Sequence, residues 1–359
     1  MKTSFTLHLM PTTSRNTTRL IAFMNEMTFN SQQRFIVHGN KVDRVPFSDT
    51  DFEVFFVRGK FLDFLKLIKH FFLADKIVVH GFFNFHLILF SWFFPKILKK
   101  MYWVVWGGDL YSVLESAGKT KKVMIKNAIK KLVLRRIDNI ITYVPGDFYL
   151  VKENLNPEAR LHVSIMYPGN LYKDFDKDFD KDFDKDFLDD GLQEARILVG
   201  NSGSPSNNHI RIFERLKKHK DVARIKVFCP LSYGDQDYID EVCNYGESCF
   251  GERFIPLTEY MDLNEYVEFL SSIKYAVYDY DRQQGMGNII SLLGLGKGVF
   301  LNPQTTPWGL FKEKNIDMID VNDLESFDFT MEFISDNPNK IKESFSSQVL
   351  ESQLYKIFN

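Results

Sequence analysis

Tyr275-Ala-Val-Tyr-Asp-Tyr-Asp281 leads into Arg282-Gln283-Gln284-Gly285-Met286-Gly287 and then into Asn288-Ile-Ile-Ser-Leu-Leu-Gly-Leu-Gly296. The first run is short, apolar and aromatic, as a buried strand is. Glycines interrupt it, and the third run is apolar and of helical length. Strand, tight loop and helix in that order make half of a parallel α/β unit. The loop then lies at the carboxyl end of its strand, where open α/β sheets bind ligands. Gly285 and Gly287 allow a backbone to come close to a bulky anion, and the first turn of the helix aims N–H groups at it. Arg282 adds a fixed positive fork that suits a diphosphate. The expectation is a loop that holds the diphosphate of a nucleotide-sugar. The same residues also suit an ordinary tight βα turn with a surface arginine.

On either side of this unit the alternation repeats. Strands are expected at Ala195–Val199, Arg224–Cys229, Arg253–Leu257, Gly298–Leu301 and Ile316–Val321. Helices are expected over Asn207–His219, with Ser206 as N-cap, over Asp237–Tyr245 and over Asp262–Ser271. Nearer the N-terminus, strands are expected at Phe5–Met10, Arg34–His38, Glu53–Val57, Lys76–His80, Met101–Trp106 and Ile137–Val144. Helices at Thr17–Phe29, Phe61–Phe72, Phe85–Phe94 and Lys119–Arg136 fall between them. Continuous apolar strands alternating with helices imply parallel sheets covered on both faces. Between the two sets the composition breaks: Lys173-Asp-Phe-Asp repeats in tetrads through Asp184 and restarts at Lys185. A period of four sets like charges at i,i+4, which opposes an isolated helix, so the repeat reads as a low-complexity linker. The expected organisation is a Rossmann-like domain over 1–168, the linker over 169–191, a second Rossmann-like domain over 192–340 and a C-terminal helix over 341–359. Two such α/β domains in series face each other across a cleft between their carboxyl edges.

The 359 residues, 45% hydrophobic and 26% charged, contain ample core material for two domains. A net charge of −2 argues against a general nucleic-acid binder. Cys229, Cys243 and Cys249 have no metal-ligand spacing and fit a reducing cytoplasm. The N-terminal stretch is too polar for a signal peptide. Phe82–Phe94, the most apolar window, is shorter than the roughly 20 residues that span a bilayer, so no transmembrane helix is expected. Lys119–Arg136 carries eight basic residues and no acid, with Val123, Met124, Ala128, Ile129, Leu132 and Val133 as an apolar stripe. That pattern suits a helix on an anionic membrane surface, and also the basic outer face of an ordinary Rossmann-type helix.

Four loops after expected strands set glycine beside polar residues: His80-Gly-Phe-Phe-Asn84, Trp106-Gly-Gly-Asp-Leu-Tyr111, Gly200-Asn-Ser-Gly203 and Arg282–Gly287. Asn201 and Ser202, at a helix entrance, suit phosphate oxygens, and they suit caps and turns equally. Asp109 is a candidate to accept a proton from an acceptor hydroxyl, to orient it, or to close an Asx turn. His80 is a candidate base or donor, or a satisfied histidine at a strand end. Neither has partners at metal-ligand spacing, and no metal or cofactor is expected.

Taken together these loops resemble the bacterial family of dTDP-N-acetylfucosamine:lipid II N-acetylfucosaminyltransferases of enterobacterial common antigen synthesis. The resemblance rests on the stretches at 80–84 and 106–111, on Ile197-Leu-Val-Gly-Asn-Ser-Gly203 with Ser206-Asn-Asn-His-Ile210, and on Arg282-Gln-Gln-Gly-Met-Gly287. It implies a two-domain GT-B glycosyltransferase, peripheral on the cytoplasmic face of the inner membrane. Its donor would be a dTDP-4-amino-4,6-dideoxy sugar and its acceptor a polyprenyl-diphosphate-linked saccharide. Donor binding would fall to Gly200, Asn201, Ser202, Gly203, Asn207, Arg282, Gln283, Gln284, Gly285, Met286 and Gly287. Asn84, Trp106, Gly108 and Tyr111 would meet the acceptor, and Asp109, His80 and Arg282 would act in catalysis, with Arg282 taking the place of the metal used in other glycosyltransferases. Broader GT-B enzymes place a Glu before Gly-x-Gly and another on the following helix; here Gln284 stands first, and Ser291 and Leu292 occupy the helix. Two other readings remain open: another donor such as a UDP-hexose in capsule or O-antigen synthesis, and a non-catalytic assembly scaffold.

Overall fold

The computed structural model describes residues 4–12, 14–38, 52–115, 120–172 and 194–359. The Lys-Asp-Phe-Asp repeat and Lys119 lie outside them. The described chain forms two compact units: residues 1–169 with Ser347–Asn359, and residues 170–346.

In the first unit seven strands, β1 (Phe5–Met10), β2 (Gln32–His38), β3 (Glu53–Val57), β4 (Lys76–His80), β5 (Met101–Val104), β6 (Asn139–Thr142) and β7 (Arg160–Val163), make one sheet. Their order is β3-β2-β1-β4-β5-β6-β7, and every neighbouring pair is parallel. All six residues of β1 are buried, because a central strand of a doubly covered sheet has no solvent face. The covering helices are α1 (Arg15–Asn25), α2 (Phe61–Lys66), α3 (Ile68–Leu73), α4 (Phe85–Phe93), α5 (Gly108–Leu114), α6 (Lys121–Leu134) and α7 (Pro145–Asn154). Phenylalanine fills much of the core: Phe64, Phe71 and Phe90 meet ring to ring beneath α2, α3 and α4. Each such ring, fully buried, stabilises by roughly 1.5–3 kcal/mol.

The second unit repeats the plan. Strands β8 (Ala195–Val199), β9 (Ile225–Pro230), β10 (Phe254–Leu257), β11 (Tyr275–Tyr278), β12 (Gly298–Leu301) and β13 (Ile319–Asp320) pair in parallel in the order β10-β9-β8-β11-β12-β13. Helices α8 (His209–Leu216), α9 (Gln236–Phe250), α10 (Leu263–Ser271), α11 (Met286–Gly294), α12 (Thr306–Glu313) and α13 (Asn337–Phe345) cover it. In both sheets the winding reverses between the first and fourth strands, β1/β4 and β8/β11, and ligands bind at the carboxyl ends of such a reversal.

Three expectations change. The helix foreseen over 61–72 is broken at Leu67, whose backbone (φ −97°, ψ 7°) leaves the helical region. Pro145-Gly146, directly after the strand expected at 137–144, starts α7, a helix not foreseen: proline is well placed in a first turn, where its missing N–H is no loss. The C-terminal segment 341–359 is two helices. Residues 341–345 complete α13, and α14 (Ser347–Phe358) packs in the first unit, where Phe358 lies edge-on to His8 and Lys76 Nζ donates to the Ile357 carbonyl.

Candidate active site

Strands β8 and β11 are sheet neighbours, with Val199 opposite Val277, so the loops that leave them start side by side. The structure brings together the two stretches that the sequence singles out. Gln284 donates through Nε2 to Asn201 Oδ1 at 3.2 Å and accepts through Oε1 from Ser206 Oγ at 2.6 Å. Arg282 donates from Nη2 to the same hydroxyl at 3.2 Å. Arg282 makes no ion pair among the described residues, so its charge is not spent on a carboxylate. Gly285 lies at φ +63° ahead of α11, and a Cβ there would stand 2.8 Å from the Tyr280 hydroxyl. The N–H groups of the first turn of α11, at Met286, Gly287 and Asn288, have no intrahelical acceptor. Arg282 and the α11 N-terminus, close together in the chain, are each of a kind suited to an anion.

The Gly200–Gly203 loop has a different part. Three of its four backbone N–H groups are already engaged: Gly200 with the Val277 carbonyl, Asn201 with Asn207 Oδ1 and Gly203 with the Tyr233 carbonyl. Its side chains turn inward too. Asn201 Oδ1 accepts from Tyr280 and Gln284, and Ser202 Oγ accepts from Asn207 Nδ2. Asn201 and Ser202, expected to suit phosphate oxygens, and Asn207, expected among the donor-binding residues, instead take internal bonds: Asn201 is tied to the loop that carries Arg282, and Asn207 ties Asn201 and Ser202 within their own loop. Ser206, expected as a helix N-cap, joins the two loops, and α8 starts later, after Asn208 at φ +55°. Gln283 is buried, and its Oε1 finds no partner among the described residues.

In the first unit Asp109 is fully buried and accepts four hydrogen bonds. Oδ2 takes the Phe82 N–H at 2.9 Å and the Trp103 indole at 2.6 Å; Oδ1 takes the N–H groups of Trp106 and Leu110, both at 3.0 Å. Both oxygens are saturated, so this carboxylate ties the β4 and β5 loops together, and the base expected there is not available to an acceptor. Asn84 caps α4 by accepting from His86 and Leu87, and Tyr111 donates to Asp147 on α7. Gly108 opens α5. Of these acceptor-side residues, Trp106 presents a half-buried ring with both N–H groups engaged, through Asp109 and the Tyr167 hydroxyl. His80 is bonded at both nitrogens, to Tyr167 at 2.7 Å and to His8 at 3.1 Å. Burial, and then the neighbouring His8, hold its pKa well below the usual histidine range.

A model of the 4-alpha-L-fucosyltransferase family, glycosyl transferase group 56, matches residues 12–331. The chain belongs to that family. Solved structures agree on the fold. HepE from Anabaena, in complex with UDP-glucose, superposes with a TM-score of 0.67 at 11% identity, over 98% of each chain. A glycosyltransferase from Rickettsia africae gives 0.64 at 10% identity, over 100% of this chain and 98% of that one. The N-terminal domain of Candida albicans trehalose-6-phosphate phosphatase gives 0.63 at 11%, over 100% and 97%. The architecture is GT-B, two Rossmann-like α/β domains, and the activity class of this fucosyltransferase-family chain is glycosyl transfer.

Sequence reasoning passed over several residues that shape the site of this fucosyltransferase-family protein. Arg211 on α8 pairs with Asp279 at 2.6 Å, and Asn208 bonds the Asp279 carbonyl and Asp281. An aspartate inside an apolar run was a usable signal, because a buried carboxylate needs a partner. Tyr280, Tyr233 and Tyr167 gave none, since their roles depend on contacts far apart in the chain. Among the described residues, no group of three or more His, Cys, Asp or Glu side chains is arranged to hold a metal ion, and no helix is long and apolar enough to cross a membrane.

Proposed function

We propose that the protein transfers a 4-amino-4,6-dideoxyhexose of the N-acetylfucosamine type from a dTDP-sugar to a polyprenyl-diphosphate-linked saccharide in bacterial surface polysaccharide synthesis. The second unit holds the donor and the first unit the acceptor. The observation that carries this reading is the junction of the two loops at the β8/β11 reversal, within the span the family model matches. It leaves Arg282 and the α11 N-terminus free for a diphosphate. As the glycosidic bond to the donor breaks, charge grows on the leaving diphosphate. A guanidinium and oriented N–H groups stabilise that charge more than they stabilise the bound donor, which lowers the barrier. Gln283, whose buried Oε1 has no partner among the described residues, is the group we assign to a sugar or ribose hydroxyl.

A surface suited to a membrane fits the lipid-linked acceptor. The first turns of α6 are exposed from Lys121 through Lys126, so Val123, Met124 and Ile125 face solvent among three lysines. On α4, which packs beside α6, Trp92 and Phe93 are exposed as well. Aromatic rings and lysines on these neighbouring helices suit the headgroup region of an anionic bilayer, which supports a peripheral position on the cytoplasmic face of the inner membrane.

Thermal-shift titration with dTDP and with UDP tests the donor. Stabilisation by dTDP alone supports the reading, and stabilisation by UDP alone replaces the donor with a UDP-hexose. Failure to hydrolyse or transfer any sugar from a nucleotide donor would leave only a scaffold with this fold.

A further inference from the structure

A chain of buried polar groups crosses the first sheet and ends on Trp106. It starts at Gln33 on β2, whose Nε2 donates to the Ser31 carbonyl at 2.9 Å. Gln33 Oε1 lies 3.0 Å from His8 Nε2 on β1; His8 Nδ1 lies 3.1 Å from His80 Nε2 on β4; His80 Nδ1 lies 2.7 Å from the Tyr167 hydroxyl; and that oxygen accepts the Trp106 indole N–H at 2.7 Å. His8, Gln33 and His80 are all buried.

The two ends fix the direction of every bond between them. An indole N–H can only donate, so the Tyr167 oxygen accepts there, and among the described residues His80 Nδ1 is the one acceptor in reach of its own proton. His80 then carries its proton on Nε2 and donates to His8, which carries its proton on Nε2 and donates to Gln33. At the far end the Ser31 carbonyl can only accept, which fixes the Gln33 amide with its oxygen toward His8. Both termini demand the same polarity, and both histidines are neutral.

The backbone is bent to reach this arrangement. Met166 is a buried non-glycine residue at φ +62°, in a three-residue turn closed by the Tyr167 N–H on the Ile165 carbonyl at 2.7 Å. Such a turn is strained and persists where the surroundings enforce it. Its product is the placement of one hydroxyl. The held indole sits 5.5 Å from the Tyr167 ring and 5.7 Å from Phe83, both near edge-on, and Phe83 is exposed.

We propose that Tyr167, His80 and His8 are positioning residues. They hold the Trp106 indole by its N–H, so that its remaining face, with Phe83 beside it, receives the apolar face of a pyranose ring of the saccharide acceptor. The inference rests on the reading that the first unit takes the acceptor. An aromatic face attracts the polarised C–H groups of a sugar through its negative quadrupole, and a fixed tilt decides which ring face it meets. No hydroxyl of the ligand is needed to satisfy the indole, because the protein already does so.

The test combines a spectrum with kinetics. The Trp106 indole N–H resonance is identified among the four tryptophans by its loss in Trp106→Phe. In Tyr167→Phe, which removes one oxygen, it moves upfield. With a short-chain polyprenyl-diphosphate disaccharide as acceptor and a dTDP-sugar as donor, Tyr167→Phe raises the acceptor KM about fivefold, the worth of one hydrogen bond, with the donor KM unchanged. His80→Leu does the same, and His80→Asn, which keeps an acceptor for the Tyr167 hydroxyl, stays nearer the wild type. An unmoved resonance in folded Tyr167→Phe overturns the inference. So does an unchanged acceptor KM in Tyr167→Phe when Trp106→Ala is impaired, and the acceptor reading then survives. An unchanged acceptor KM in Trp106→Ala, or no transfer by the wild type to this acceptor, overturns the acceptor reading and the inference with it.

Discussion

Asp109 and Arg282 look alike in the sequence, each a charged residue in a glycine turn after an apolar strand, and the structure gives them opposite situations. Asp109 is spent on four protein donors, whereas Arg282 touches one serine hydroxyl. Two outcomes follow. Asp109→Asn turns an NH2 group toward buried N–H donors, and we expect it to lower unfolding stability by about 2–4 kcal/mol in urea. A variant as stable as the wild type that still lacks turnover would restore Asp109 as a base. Arg282→Ala should leave the melting temperature near the wild type and lower turnover by about 10²–10³-fold, as loss of a charge-stabilising donor does. Normal turnover removes Arg282 from the site. That both residues follow strands was legible from glycine and strand patterning, although Asp109 falls in the first turn of α5 and Arg282 in the loop before α11. Which one was free was not, because that depends on Trp103, Phe82 and Ser206, which meet them only in three dimensions.

Among the elements, the strands were the most legible, since buried parallel strands are unbroken apolar runs ended by glycine or proline. The loops they lead into were legible for the same reason. Helix α7 and strand β7 were missed because Pro145-Gly146 serves equally as an end and as a beginning. Helix α6 was legible as basic and amphipathic, yet its faces were not: Lys130 is buried, with Nζ 2.6 Å from the Asp109 carbonyl, and Val133 belongs to the core. The surface that remains is the first two turns. Lysines near an anionic surface contribute about 1 kcal/mol each. Replacing Lys121, Lys122 and Lys126 together by Glu should therefore weaken sedimentation with phosphatidylglycerol vesicles by about a hundredfold or more. Unaltered binding would assign the membrane contact to another face.

For the molecule as a whole, the two-domain α/β plan was readable from alternation alone, and the path of the chain end was not, because an amphipathic helix does not state which sheet it will cover. The buried histidines govern behaviour with pH. Burial pushes His8 and His209 down to about 4, against some opposition at His8 from its bond to Gln33. Their folded pKa values lie below the unfolded value, so the unfolded chain binds protons more readily. The stability they contribute is complete above about pH 6.5 and is lost as pH falls toward 4. At pH 5 each forfeits about 2 kcal/mol. His8 lies in one unit and His209 in the other, so the urea midpoints of both should fall between pH 7.5 and pH 5 and recover on return. Midpoints that do not move would mean the rings are not buried neutral.

Helix α14 closes over His8 in the first unit, although the whole second unit precedes it in the chain. During synthesis, the sheet made first waits for the part made last. At 5–20 residues per second the ribosome needs roughly ten to thirty-five seconds to travel from residue 170 to the start of α14. Through that interval His8 and its neighbours have no lid, and nascent chains are then open to chaperones and proteases. A gene fragment stopped at residue 169 would leave the cell with that exposed state permanently, and supplying residues 347–359 as a separate peptide should rescue it.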